Sequence, residues 1–143
     1  MIRRIDDPAI INAFANHPDI RPHIGGAGIL DLTVAVTEPN VFLFGEHGGF
    51  CLSWSAPATY EVHTMIAPEG RGTWAFEAAR QSIEFMAGLG ADHLWTRVHP
   101  DARHTAIFTR KMGFRPCGTG VLNLGDGPVE WRLFNWRKQC PQQ

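Results

Sequence analysis

With 143 residues, 44% of them hydrophobic and 19% charged, the chain has the length and balance of one folded domain rather than of a disordered segment. A formal net charge of −1 with seven neutral histidines excludes a general nucleic-acid surface, since the basic pairs Arg3 with Arg4 and Arg110 with Lys111 are only local. Cys51, Cys117 and Cys140 are odd in number, widely spaced and free of any CxxC pair, which argues against a zinc site or disulfide framework and for a reducing compartment such as the cytoplasm.

The opening MIRRIDDP turns polar too soon for a secretory leader, and no apolar run approaches the ~20 residues of a membrane span. Residues 2–6 can form a short first strand. Asp7 then Pro8 opens a helix, an N-cap acceptor followed by a residue tolerated in the first turn. Ile10, Ile11 and Phe14 have helical spacing and carry it to about Asn16, where His17 and Pro18 break it. Residues 17–28, HPDIRPHIGGAG, form a loop or irregular helix long enough to line a site. Strand-like runs follow: LDLTVAV over residues 30–36, then VFLFGE and GFCLSWS with a hairpin signal at His47, Gly48 and Gly49, then ATYEVHTMIAP ended by Pro68. They assemble naturally as an antiparallel meander of three or four strands.

TWAFEAARQSIEFMAGLG is a helix. Trp74, Ala75, Ala78, Ala79, Ile83 and Met86 follow the helical repeat, and Gly88 or Gly90 stops it. DHLWTRVHP is a strand. Asp101 can cap a second helix, ARHTAIFTRKM, with Ala102, Ala106, Ile107 and Phe108 inward and Gly113 at its end. RPCGTGVLNL and VEWRLFNWRK make a hairpin around Gly125, Asp126 and Gly127, and only the CPQQ tail is of low complexity. The order gives an α+β fold with one βαβ crossover, in a single domain over residues 1–143. Most of the five tryptophans serve packing, but Trp131 and Trp136 lie an odd number apart on the last strand and point to opposite faces. One of them is therefore available as a partner surface.

The most informative segment is a strand, the loop EGRG and a helix. A helix starting after a glycine loop leaves free N–H groups, its dipole adds positive charge, and Arg71 adds more, so the segment suits a phosphate or pyrophosphate. The stretch PEGRG, followed by RVHPDARHTAIFTRKMGFRPCG with Gly113 and Phe114, resembles the GNAT superfamily of N-acetyltransferases over residues 58–120. FANHPDIRPHIGG resembles a subgroup found in tailed-phage genomes, some members of which are head-assembly proteins.

The resemblance implies a central mixed, mostly antiparallel twisted sheet with flanking helices, and two parallel strands that splay apart to admit acetyl-CoA. The first of these ends at Met65, Ile66 and Ala67, whose backbone would take the pantetheine. The amides of Arg71, Gly72, Thr73, Trp74 and Ala75 would hold the pyrophosphate. An amine acceptor would attack the thioester directly, and no metal is called for. The sequence departs from the family at four places. Trp74 and Phe76 stand where small residues usually close the phosphate loop, Ala102 replaces an asparagine, and Thr109 replaces the tyrosine that protonates the leaving thiolate. Glu61 and His63 share a strand face with Met65 and are the candidate bases. Glu61 could accept the proton if its pKa is raised, or could orient His63. Two functions follow: acetyl transfer from acetyl-CoA to a primary amine in a small molecule or protein, or a non-catalytic virion or head-assembly component. Either could pair as a homodimer or with a phage structural partner through the last strands, in the cytoplasm of a host or in a virion.

Overall fold

Asp7 starts the first helix: its Oδ1 accepts from the Ala9 amide at 2.9 Å, and Pro8 stands in the first turn, where no N–H is needed. In the computed structural model, which describes residues 1–37 and 39–139, this is α1 (Pro8–Ala15), preceded by β1 (Arg3–Arg4). A short α2 (Arg21–Ile24) interrupts the glycine- and proline-rich segment that follows.

Residues 30–36 are not a strand, although their alternation predicts one. Side chains of α1 satisfy their backbone instead. Asn16 accepts from the Leu30 amide at 2.8 Å and donates to the Leu30 carbonyl at 2.7 Å, while Asn12 accepts from the Leu32 amide at 2.8 Å. Asp31 closes a local turn by accepting from the Thr33 amide at 3.0 Å. A segment whose polar groups are met this way gains nothing from a ladder.

The sheet is built from β1 and six further strands: β2 (Val41–Gly45), β3 (Gly48–Ala56), β4 (Thr59–Ile66), β5 (His93–Val98), β6 (Arg115–Asn123) and β7 (Pro128–Arg137). Their order is β1-β2-β3-β4-β5-β7-β6, antiparallel except between β4 and β5. The βαβ crossover is β4, then α3 (Thr73–Leu89), then β5. Gly90, in the left-handed region at φ 106, ends α3, so of the two candidate stops the second is used. The last helix is α4 (Arg103–Lys111). Ala102, not Asp101, is its cap residue, and no side chain caps the helix; the Asp101 amide donates to His99 Nδ1 at 3.1 Å. Ile107 faces solvent rather than the core.

Both sheet faces are covered. On one, α3 and α4 pack over Leu43, Leu52, Leu94 and Phe134. On the other, α1 and residues 30–36 pack over Phe42, Phe44, Cys51 and Met65. Trp136 packs against the first core, and Trp131 is buried on the opposite face. The two do point apart, but neither is the exposed tryptophan expected for a partner surface. Cys51 is buried and Cys117 exposed, both as free thiols, while Cys140 and the CPQQ tail lie outside the described residues. Among the described residues no helix is long and apolar enough to cross a membrane, and no cluster of side chains could hold a metal ion.

Candidate active site

The parallel pairing of β4 with β5 is short. It joins Thr59, Tyr60 and Glu61 to His93, Leu94 and Trp95, and beyond Glu61 the strands part. Thr64, in mid-sheet, is exposed as a result. Across the start of the gap the Thr96 hydroxyl donates to the Val62 carbonyl at 2.8 Å, so the Val62 backbone points toward β5. Strand alternation turns the backbone groups of Thr64 and Ile66 the same way, into the gap. Ala67 points the other way, its amide donating to the His47 carbonyl at 2.9 Å, and the Met65 side chain belongs to the α1 core. Of the three positions expected to meet a cofactor, only Ile66 lines the opening, and Thr64 joins it.

The opening leads into a cleft of about 570 Å³ between the first turns of α3 and α4. Gly72 precedes α3 at φ 103, a conformation strained for any residue with a Cβ, and open space surrounds it. The first amide to close a helical bond is Phe76, donating to the Gly72 carbonyl at 3.1 Å. Among the described residues nothing accepts from the amides of Gly72, Thr73, Trp74 or Ala75, whereas the Arg71 amide, expected with them, is taken by the Pro68 carbonyl at 3.2 Å. Of the free donors, Gly72 and Ala75 line the cleft together with the exposed Arg71, at the positive end of the helix dipole. The Arg71 Nη2 donates to the Asp19 carbonyl at 2.9 Å, which ties the α1–α2 link to the rim. Arg103 and His104, which sequence reasoning did not assign to a site, line the cleft from α4, as does Ala102.

Trp74 and Phe76 do not plug this space. The Trp74 ring turns toward the β2–β3 turn and meets His47 edge-on at 5.1 Å. It is seated on glycine: a Cβ on Gly45 or Gly70 would come within 3.0 Å of the indole. Phe76 stands against Phe108, with ring centroids 4.9 Å apart, and forms a wall. Thr109 is buried beside a smaller cavity of about 50 Å³ that shares Thr64, Thr105 and Phe108 with the cleft. Its hydroxyl donates to the Thr105 carbonyl at 2.7 Å.

On the opposite sheet face, at the same height as the gap, stand Glu61 and His63. Glu61 Oε1 lies 3.5 Å from His63 Nε2, and Glu61 Oε2 accepts from Arg97 Nε at 2.8 Å. Burial pushes the Glu61 carboxyl up, but the hydrogen bond and charge of His63 and the Arg97 guanidinium outweigh it and hold the group below the ordinary glutamate value. Cys51, directly across from His63 on β3, is pushed up to about 11 by burial and stays a neutral thiol at neutral pH. Arg97 was invisible to sequence reasoning, because its partnership with Glu61 depends on the parallel register of two strands separated by a whole helix.

No family model matches the chain, and no curated protein matches it by sequence. Solved structures do match in shape. A ribosomal-protein-alanine N-acetyltransferase from Brucella melitensis superposes with a TM-score of 0.73 at 16% identity, covering 96% of this chain and 99% of that one. An acetyltransferase of the GNAT family from Bacillus anthracis gives 0.70 at 15% identity, covering 95% and 93%. The fold is that of the GNAT acetyltransferases. A Bacillus subtilis acetyltransferase in complex with CoA gives 0.64 at 14% identity, covering 96% and 98%. Within this GNAT fold, the splay expected from the sequence is the β4–β5 gap.

Proposed function

We propose that the chain is an N-acetyltransferase that uses acetyl-CoA and acts on a primary amine. The observation that carries this reading is the coincidence, on one cleft, of Arg71 and the free-amide first turn of α3, reached there by Gly72 and Ala75, with an opening between two parted strands. A solved neighbour in complex with CoA supports the choice of ligand. The amides of Gly72, Thr73, Trp74 and Ala75 with Arg71 suit the pyrophosphate, and the unpaired backbone of Thr64 and Ile66 suits an extended amide-bearing arm. When bound, acetyl-CoA supplies an activated acetyl thioester open to direct attack by the amine. His63 takes the proton from the acceptor ammonium, since an imidazole exchanges protons near neutral pH. Glu61, held ionised, orients His63 rather than serving as the base itself. The leaving thiolate has no phenol to protonate it, so water supplies that proton.

The alternative, a structural component on the same fold, draws on the departures at Trp74, Phe76 and Thr109 and on the tailed-phage resemblance of residues 14–26, which rests on sequence alone. Trp74 turned away and Phe76 set aside as a wall leave the cleft open, which favours the enzyme. Thiol release from acetyl-CoA with a panel of primary amines separates the two. We expect turnover in the intact protein and a loss of about 100-fold or more in His63→Ala, with acetyl-CoA affinity little changed. No turnover with any amine supports the scaffold, and equal turnover in the variant removes His63 as base.

A further inference from the structure

Arg97 stands on β5 just past the last residue paired with β4, on the face that carries Glu61 and His63. Its side chain is 19% exposed and that of Glu61 15%, so the pair is largely shielded from water. A carboxylate in such a place is costly to ionise alone, and beside a histidine alone it would hold the imidazole in its charged form. A base locked as a cation cannot accept a proton. The guanidinium changes that balance. It cancels the carboxylate's charge while leaving Oε1 free to face His63 Nε2 at 3.5 Å. The guanidinium is itself held in place, with Cζ 5.4 Å from the centroid of the buried Trp131 ring, and His99 packs edge-on to that ring at 5.4 Å.

We propose that Arg97 is a positioning residue for the base: it keeps Glu61 turned toward His63, so that His63 carries its proton on Nε2, presents Nδ1 to the amine, and cycles freely between its neutral and cationic forms. This rests on the reading of His63 as the base.

The surroundings leave few other charges to do this work. From β3 the facing group is the neutral Cys51 thiol; from β5 it is Arg97, with His99 beyond the Trp131 ring. α1 carries no titratable side chain, and Asp31 of residues 30–36 is committed to the Asn12 side-chain amide and to Thr33. On α2, Arg21 is committed to the carbonyls of Gly25 and Gly28, and His23 lines the cofactor cleft.

The test is a nitrogen NMR titration of the His63 imidazole in the intact protein, in Arg97→Gln and in Arg97→Lys, run beside the pH profile of kcat/KM. In the unaltered protein the neutral ring should be the Nε2–H tautomer. Removing the cation in Arg97→Gln should raise the His63 midpoint by about one pH unit and move the acid limb of kcat/KM the same way. Turnover well below the parent midpoint should then fall by up to about tenfold and recover at higher pH. Arg97→Lys, which keeps the charge, should leave the midpoint near that of the parent. An Nδ1–H tautomer in the parent overturns the proposal without any variant, which covers the case in which Arg97→Gln does not fold. An unmoved midpoint in folded Arg97→Gln, or a loss of turnover uniform across pH, also overturns it. If no amine is acetylated, the acetyl-transfer reading fails while the tautomer and midpoint still decide the role of Arg97.

Discussion

Glu61 shows how single side chains govern this site. Its carboxylate is shielded from water, yet Arg97 and His63 keep it ionised below the ordinary glutamate range. A carboxyl whose pKa is depressed on folding contributes stability that is present above its unfolded value, near 4.3 as a rough reference, and lost as pH falls through the folded value. Glu61→Gln should therefore weaken the dependence of the urea midpoint on pH below that reference, and an unchanged acid slope would mean the carboxyl is not held as described. None of this was legible from the strand alternation of ATYEVHTMIAP. The alternation placed Glu61 and His63 on one face correctly, but the cation that holds Glu61 ionised lies far along the chain on a strand whose register no local pattern reports. Thr109 was legible only as a departure, and its hydroxyl is bonded to the Thr105 carbonyl one turn back.

The start of α3 shows what an element does with awkward residues. Large aromatics at Trp74 and Phe76 looked incompatible with a tight anion loop. Tightness is supplied elsewhere, by Gly45 and Gly70 under the indole and by Gly72 at φ 103 ahead of the helix. Gly72→Ala should cost about 1 kcal/mol in unfolding free energy, because the residue must hold a left-handed φ. It should also weaken acetyl-CoA binding by re-aiming the free amides, which calorimetry would read; unchanged affinity would uncouple the turn from the ligand. Gly70→Val should displace the Trp74 ring and quench or shift its fluorescence, since the added side chain meets His47 and Trp74. Periodicity found α1, α3 and α4 because their buried faces repeat at helical spacing. It failed at residues 30–36, where an alternating pattern met two asparagines of α1 that satisfied its backbone first. Asn12→Ala should loosen that segment and cost about 1–3 kcal/mol, through the unsatisfied Leu32 amide, by chemical denaturation.

Across the whole molecule, the opening between β4 and β5 is a consequence of sheet topology. β7 inserts between β5 and β6, so β5 is paired along its full length on that side while its parallel neighbour β4 leaves it after Glu61. The two sheet faces then differ, one with a cleft beside the free amides at the start of α3 and the other, toward α1, with the charged cluster of Glu61, His63 and Arg97. The hairpin of β6 and β7 and the crossover through α3 were readable from turn glycines and element order. The insertion of β7, the point at which β4 and β5 part and the burial of Trp131 under its neighbours depend on long-range packing that local pattern does not encode. The measurement closest to the central claim is an amide-resolved NMR titration with acetyl-CoA. The account predicts saturable shifts concentrated at the amides of Gly72, Thr73, Trp74 and Ala75 and, across the gap, at Thr64 and Ile66. Saturating acetyl-CoA that leaves those six amides unmoved, or moves only amides elsewhere, would contradict it.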